Sequence, residues 1–158
     1  IIGVASLRKH VSASKSIEAF NMIQSIRAAQ ERWRAEHMIY LDVTTTGGDW
    51  YPADPTDSAV RGTERAFFGS SAHPDSANWL LLRPTVSGPV QFGYISNAGV
   101  AGAAMTEPAI TIPGFAWPAN AENWYVIQAL GDTDGDGRPS YYLAASLDGE
   151  VVSIDDGE

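Results

Sequence analysis

The chain contains no cysteine. That excludes disulfides, thiolate-bound zinc and cysteine nucleophiles. It leaves the compartment open, because 158 residues can bury enough core to fold outside the cell without staples. Positive charge is scarce: ten Lys and Arg stand against nineteen Asp and Glu, a formal net charge of -9. Nucleic acid is thereby disfavoured as a partner, since phosphate binding needs clustered Lys and Arg. No apolar run reaches the roughly 20 residues that a membrane-crossing helix needs. Histidine is rare too. His10, His37 and His73 are far apart in sequence, which makes a histidine zinc site improbable. Proline and glycine are both missing between Gly3 and Gly47. That absence removes every strong helix breaker from the first quarter of the chain.

What occupies that quarter predicts one helix from about Val4 to His37 or Tyr40, far longer than the average of about 11–12 residues. From Ile17 onward Phe20, Met22, Ile23, Ile26, Ala29 and Trp33 share one side, and Glu18, Asn21, Ser25, Glu31 and Arg32 fall mostly on the other. Upstream, Val4, Leu7 and Val11 recur three and four apart, a narrow stripe with too little apolar surface for a domain core to wrap. The expectation is a projecting stalk, with residues 17–38 packed on a head. Residues 1–40 carry a net charge of +3, leaving -12 for the remainder. A basic stalk and an acidic head could attract each other between copies; the competing reading, preferred for most individual charges, is that both are ordinary solvated faces. A chain that begins on Ile1 is further expected to be processed or cut from something longer.

After Tyr40 the texture changes to short aromatic and β-branched runs broken by Gly, Pro and Asp. Residues 41–88 are expected to be irregular, with a short helix around Gly62–Phe68. Strands are predicted at Val90–Ile95, Asn123–Leu130, Ser140–Ser146 and Glu150–Ile154, the last two joined by a two-residue Asp148-Gly149 turn. The fold class is α+β: a long N-terminal helix over an antiparallel sheet of three to four strands, forming one domain over 1–158. The helix face bearing Phe20, Ile23, Ile26 and Trp33 is the expected cover for the sheet.

Few motifs carry chemistry. Asp132-Thr133-Asp134-Gly135-Asp136-Gly137 matches the first six positions of an EF-hand-type loop, D-x-D-x-D-G, whose spaced carboxylates suit Ca²⁺. The twelfth position is Leu143 where a bidentate Glu belongs, and the flanks are strands. The competing reading is an acidic hairpin loop whose Asp side chains cap their own backbone. Ser70, Ser71, His73 and Asp75 are too close in sequence to be assembled as a hydrolase triad, and no Gly-x-Ser-x-Gly elbow exists. Trp50-Tyr51, Trp117 and Trp124-Tyr125 offer area for a carbohydrate platform, but such residues more often anchor cores.

Ile1-Ile2-Gly3-Val4-Ala5, Ser14-Lys15-Ser16-Ile17-Glu18-Ala19 and Ile26-Arg27-Ala28-Ala29-Gln30-Glu31-Arg32-Trp33, followed by Tyr40-Leu41-Asp42-Val43, resemble the type IV pilin superfamily, which spans pilins, minor pilins and type II secretion pseudopilins. The match covers residues 1–45, and beyond them the layout alone. The family's cleavage site, N-terminal Phe and nearby glutamate are not in this chain. The resemblance therefore implies a missing membrane-spanning segment before Ile1. It also implies a structural subunit, not an enzyme, of an extracellular, cell-surface filament. Other pilin subunits would be its partners. Val4, Leu7, Val11 and Ile17 would form the assembly interface, and the β-head would face outward. Two alternatives remain beside it: a secretion pseudopilin, or an extracellular Ca²⁺-assisted adhesin or glycan-binding module with Asp132, Asp134 and Asp136 as ligands.

Overall fold

The computed structural model describes residues 2–44, 49–69, 72–104, 121–146 and 148–154, with helix side chains from Ser16 onward. Helix α1 runs unbroken over Ile2–His37. It ends where Met38 takes a left-handed backbone conformation (φ 66°), its N–H returning to the Arg34 carbonyl. A 3-10 turn at Phe67–Gly69 and a short helix α2, Ser76–Leu82, follow. Strands β1 (Gly93–Gly99), β2 (Trp124–Gly131), β3 (Ser140–Ala145) and β4 (Val151–Ile154) form an antiparallel sheet in sequence order. The α+β expectation and the four-stranded meander are thus both present.

The sheet is buried on both faces. Tyr125, Ile127 and Ala129 of β2 alternate toward a core built on Ala19, Met22, Ile23, Ile26 and Ala29 of α1. Trp124, Val126 and Leu130 point the other way and pack with Ile95, Tyr141, Leu143 and Trp50. Trp50, Tyr51, Trp124 and Tyr125 are accordingly core residues, as their bulk suggests; Trp117 lies outside the described residues. The outer edge of β1 is covered by the preceding chain. Val43 and Thr44 donate to the Ser96 carbonyl, and Tyr51 and Tyr94 exchange both backbone hydrogen bonds. A row of unpaired edge groups is avoided in this way.

Four local expectations need correction. Phe20 does not belong to the covering face and is 48% exposed. It sits six residues before Ile26, which at ~100° per residue places it roughly 120° off the core-facing direction. The helix expected at 62–68 is not α-helical. Arg65 is taken by a bridge to Val90, and the helix of this region forms on the Ser76–Leu82 run. Strand β1 begins three residues later than Val90, for a specific reason: the Gln91 and Phe92 N–H groups donate to the Glu18 carboxylate, so pairing with β2 starts at Gly93. The Asp148-Gly149 turn is wider than two residues, since the last β3–β4 pair is Ala144 with Val151.

Two sheet glycines are required by close approach. An added Cβ at Gly131 would lie 2.6 Å from the Phe92 ring, and one at Gly99 would lie 2.4 Å from the Trp124 ring. Both rings are buried and cannot swing aside. Gly131→Ala is expected to destabilise the protein by about 1–3 kcal/mol through overpacking. Gly149→Ala, where nothing lies within 4 Å, should be neutral. Urea denaturation of the two variants checks the contrast.

Candidate functional site

Helix α1 organises the molecule by bonding to backbone groups far away in sequence. At its middle, Glu18 gathers the Gln91 and Phe92 N–H groups and the Tyr94 hydroxyl. Burial, reinforced by that carboxylate, holds the Tyr94 hydroxyl well above the ordinary tyrosine value. Ser25 donates to the Thr85 carbonyl. Arg27 donates to the carbonyls of Ala145, Asp148, Gly149 and Glu150, which explains the widened β3–β4 connection. Gln30, fully buried, donates to the Leu41 carbonyl and Ser96 Oγ and accepts from the Leu41 N–H. Arg32 donates to the Leu82 and Arg83 carbonyls, capping α2. Glu18 and Ser25 are half-buried, and Arg32, though exposed, is tied to main-chain carbonyls, so these residues do more than the solvated-face reading allows them.

The four residues expected to form an assembly interface fall into two groups. Ile17 is on the surface, 58% exposed. The helix backbone passes without a break through Val4, Leu7 and Val11, whose side chains lie outside the described residues.

The acidic loop connects β2 to β3. The carboxylate oxygens of Asp132, Asp134 and Asp136 come within 4.8 Å of one another, and no other such group occurs among the described residues. Ca²⁺ binds oxygens at about 2.3–2.6 Å, so this spacing suits a single ion. The loop also has an internal scaffold. Asp132 Oδ1 accepts from the Gly135 N–H and Oδ2 from the Gly137 N–H, both 2.9 Å. Arg61 Nε lies 3.2 Å from the same Oδ2. Asp134 and Asp136 accept from the N–H groups of Asp136 and Arg138. Leu143, at the twelfth position, is buried in the sheet and offers no ligand. The three carboxylates could hold a metal ion, and the buried one, Asp132, is already paired with Arg61.

A direct test separates scaffold from metal. Asp132→Ala leaves two glycine N–H groups without their acceptor and the Arg61 guanidinium without its ion-pair partner, and is expected to cost about 2–3 kcal/mol. The loss should be the same in EDTA and in millimolar calcium, measured by urea denaturation. If EDTA alone weakens the parent protein as much as the substitution does, metal holds the loop.

His73 is engaged on both ring nitrogens, Nδ1 accepting from the Asp75 N–H and Nε2 facing the Trp50 carbonyl. This arrangement ties two loops together. Ser70 and Ser71 lie outside the described residues. His37 stacks on Trp33 at 3.8 Å, and His10 falls in the part of α1 without described side chains.

Arg27, Gln30, Arg32 and Arg61 were not singled out by sequence reasoning for these roles. Their partners are mostly main-chain groups, which leave no residue-type signature. Compared with known proteins, the chain matches no family model, no curated protein and no solved structure.

Proposed function

We propose that the protein is a structural subunit of a pilin-like surface filament, assembling through the leading part of α1 while the β-head faces outward. One observation carries the reading. The helix is continuous from Ile2 to His37, and among its described side chains, which start at Ser16, the core-facing ones begin at Ala19. The Val4, Leu7 and Val11 stripe lies on the stretch before that core, and Ile17, six residues after Val11 and so roughly 120° round the helix from it, is exposed at the edge of the head. Burial of such a stripe by neighbouring copies would be favourable by about 25 cal/mol per Å² of apolar surface. The other subunits of the filament are the partners in this reading, its place is outside the cell, and a membrane-spanning segment ahead of Ile1 would hold the subunit before assembly. A secretion pseudopilus would use the same architecture. A calcium-assisted adhesin is the second reading, favoured by the convergence of Asp132, Asp134 and Asp136.

Sedimentation velocity across a concentration series, with negative-stain microscopy, tests assembly. Leu7→Asp with Val11→Asp should abolish self-association and leave the thermal melt of the head unchanged. A parent chain that stays monomeric at the highest concentrations would remove the filament reading. Glycan binding that rises with calcium in that monomer would favour the adhesin.

A further inference from the structure

The two edges of the sheet differ. At β1 the preceding chain supplies Val43, Thr44 and Tyr51 as main-chain partners. At β4, Val151–Ile154, no described residue does so. The register shows which groups face outward there. Tyr94, Ala129, Tyr142 and Ser153 lie in one row across the sheet, and Ser96, Ile127, Ala144 and Val151 in another. Tyr94 turns its main-chain groups outward to Tyr51, and the Ser96 carbonyl accepts from Val43 and Thr44. Antiparallel neighbours alternate between bonded and unbonded pairs. Ala129 therefore bonds Tyr142, Ile127 bonds Ala144, and Val151 and Ser153 turn their N–H and C=O groups away from the sheet.

The side chains of β4 are incompletely covered as well. Every residue of β2 is buried, and all of β3 but Ser140, whereas Val151, Val152 and Ile154 are half-buried and Ser153 is exposed. Val151 packs toward the core under α1, and Val152 and Ile154 toward the opposite one. One more strand would bury apolar surface on both faces of the sheet. Val151–Ile154 holds no Pro, Lys or Gly, the residues that commonly blunt an open edge or bulge it.

Charge selects what can pair there. Exposed Asp148 and Glu150 precede β4, and Asp155 and Asp156 follow it in the sequence. Arg27, the cation at the first end, is engaged by the carbonyls of Ala145, Asp148, Gly149 and Glu150. Ile154 pairs with Tyr141, at the start of β3, and the loop leading into that strand has three aspartates to one arginine, Arg138. A second copy added in either direction would set carboxylates against carboxylates, which destabilises a strand pair. None of the four strands contains Lys or Arg to relieve this. We infer that the open edge of β4 takes up an extended segment of a different protein, a β-branched run flanked by Lys or Arg, added by main-chain pairing to Val151 and Ser153. Such uptake uses nothing of the leading part of α1 and stands apart from the filament reading.

The probe is the peptide Lys-Val-Thr-Val-Thr-Val-Lys, titrated into the full chain, with fluorescence anisotropy and amide hydrogen exchange as readouts. Saturable binding is expected, with exchange slowed at the Val151 and Ser153 N–H groups. A Glu-flanked peptide should bind about tenfold more weakly at low salt, since complementary charge steers encounter and rejects the wrong partner. Ser153→Pro removes one outward N–H, leaves the bonds to β3 in place, and should weaken binding about tenfold. The same peptide N-methylated along its pairing edge should not bind the unaltered protein, so the main-chain contact is tested even if the proline variant fails to fold. No binding at millimolar peptide, equal binding of the Glu-flanked or N-methylated peptide, or protection only away from β4 would overturn the assignment. Protection of Val151 and Ser153 that grows with protein concentration in the absence of peptide would give the edge to a second copy, and would overturn it too.

Discussion

Replacing Gln30 by alanine should cost the protein about 4 kcal/mol, among the largest effects expected of a single substitution. The amide is fully buried and makes three hydrogen bonds. Its nitrogen donates to the Leu41 carbonyl at 2.8 Å and to Ser96 Oγ at 3.0 Å, and its oxygen accepts from the Leu41 N–H at 2.9 Å. Gln30 thus stands in for a strand. It satisfies both backbone groups of Leu41 as the chain leaves the helix, and joins that residue to β1. Removing it leaves a buried donor and a buried acceptor without partners, at about 1–3 kcal/mol each, and opens a cavity beside Ile26. Gln30→Leu fills the cavity and leaves the same groups unsatisfied. It is expected to recover only about 1 kcal/mol. Gln30→Glu keeps the acceptor, loses both donors and buries a charge, so it should be no better than alanine. Equilibrium denaturation of the three variants checks the order. A Leu variant as stable as the parent would mean that packing, not hydrogen bonding, sets the value of this position.

This position also marks how far the sequence is legible. The helix was readable because Met22, Ile23, Ile26, Ala29 and Trp33 repeat with the helical period, and nothing before Gly47 interrupts it. Strands β2 and β3 were readable because aromatic and β-branched runs end in Gly, Pro and Asp. The D-x-D-x-D-G spacing located the acidic loop. Several contacts that position these parts were not readable. Glu18 delays β1 by taking two of its backbone N–H groups, and Arg27 reaches a carbonyl 122 residues away. A main-chain group has the same chemistry under every side chain, so these anchors looked like solvated polar residues. Arg61 escaped notice for a related reason: its ion pair with Asp132 joins two loops that only the folded chain brings together. The burial of both sheet faces was half-legible. A run such as Trp124-Tyr125-Val126-Ile127 is nearly continuous in apolar character, which is the pattern of a strand covered on both sides.

Raising the pH above 10 should strip this protein of stability on the order of 4 kcal/mol by pH 12, because several tyrosines are protonated more tightly when folded. Burial pushes the Tyr125 hydroxyl up to about 12. Burial and the Glu18 carboxylate raise Tyr94 further above the ordinary value, and Tyr40 and Tyr51 are raised as well. In the unfolded chain each loses its proton near pH 10. Between that value and the raised folded one, the unfolded state binds fewer protons than the native state, so stability is intact below pH 10 and falls as pH rises. Each tyrosine contributes a slope of up to ~1.4 kcal/mol per pH unit. Tyr94→Phe separates this linkage from general alkaline damage. The variant loses the hydrogen bond to Glu18 Oε1 and should be about 1 kcal/mol less stable than the parent at pH 8. It cannot form a buried phenolate beside that carboxylate, so its stability should fall less steeply and overtake the parent's by roughly pH 11. Denaturation curves at pH 8, 10 and 11 locate the crossing. Parallel curves for the two proteins would show that ionisation of Tyr94 is not part of the alkaline transition, and would leave Tyr125 as the group to replace next.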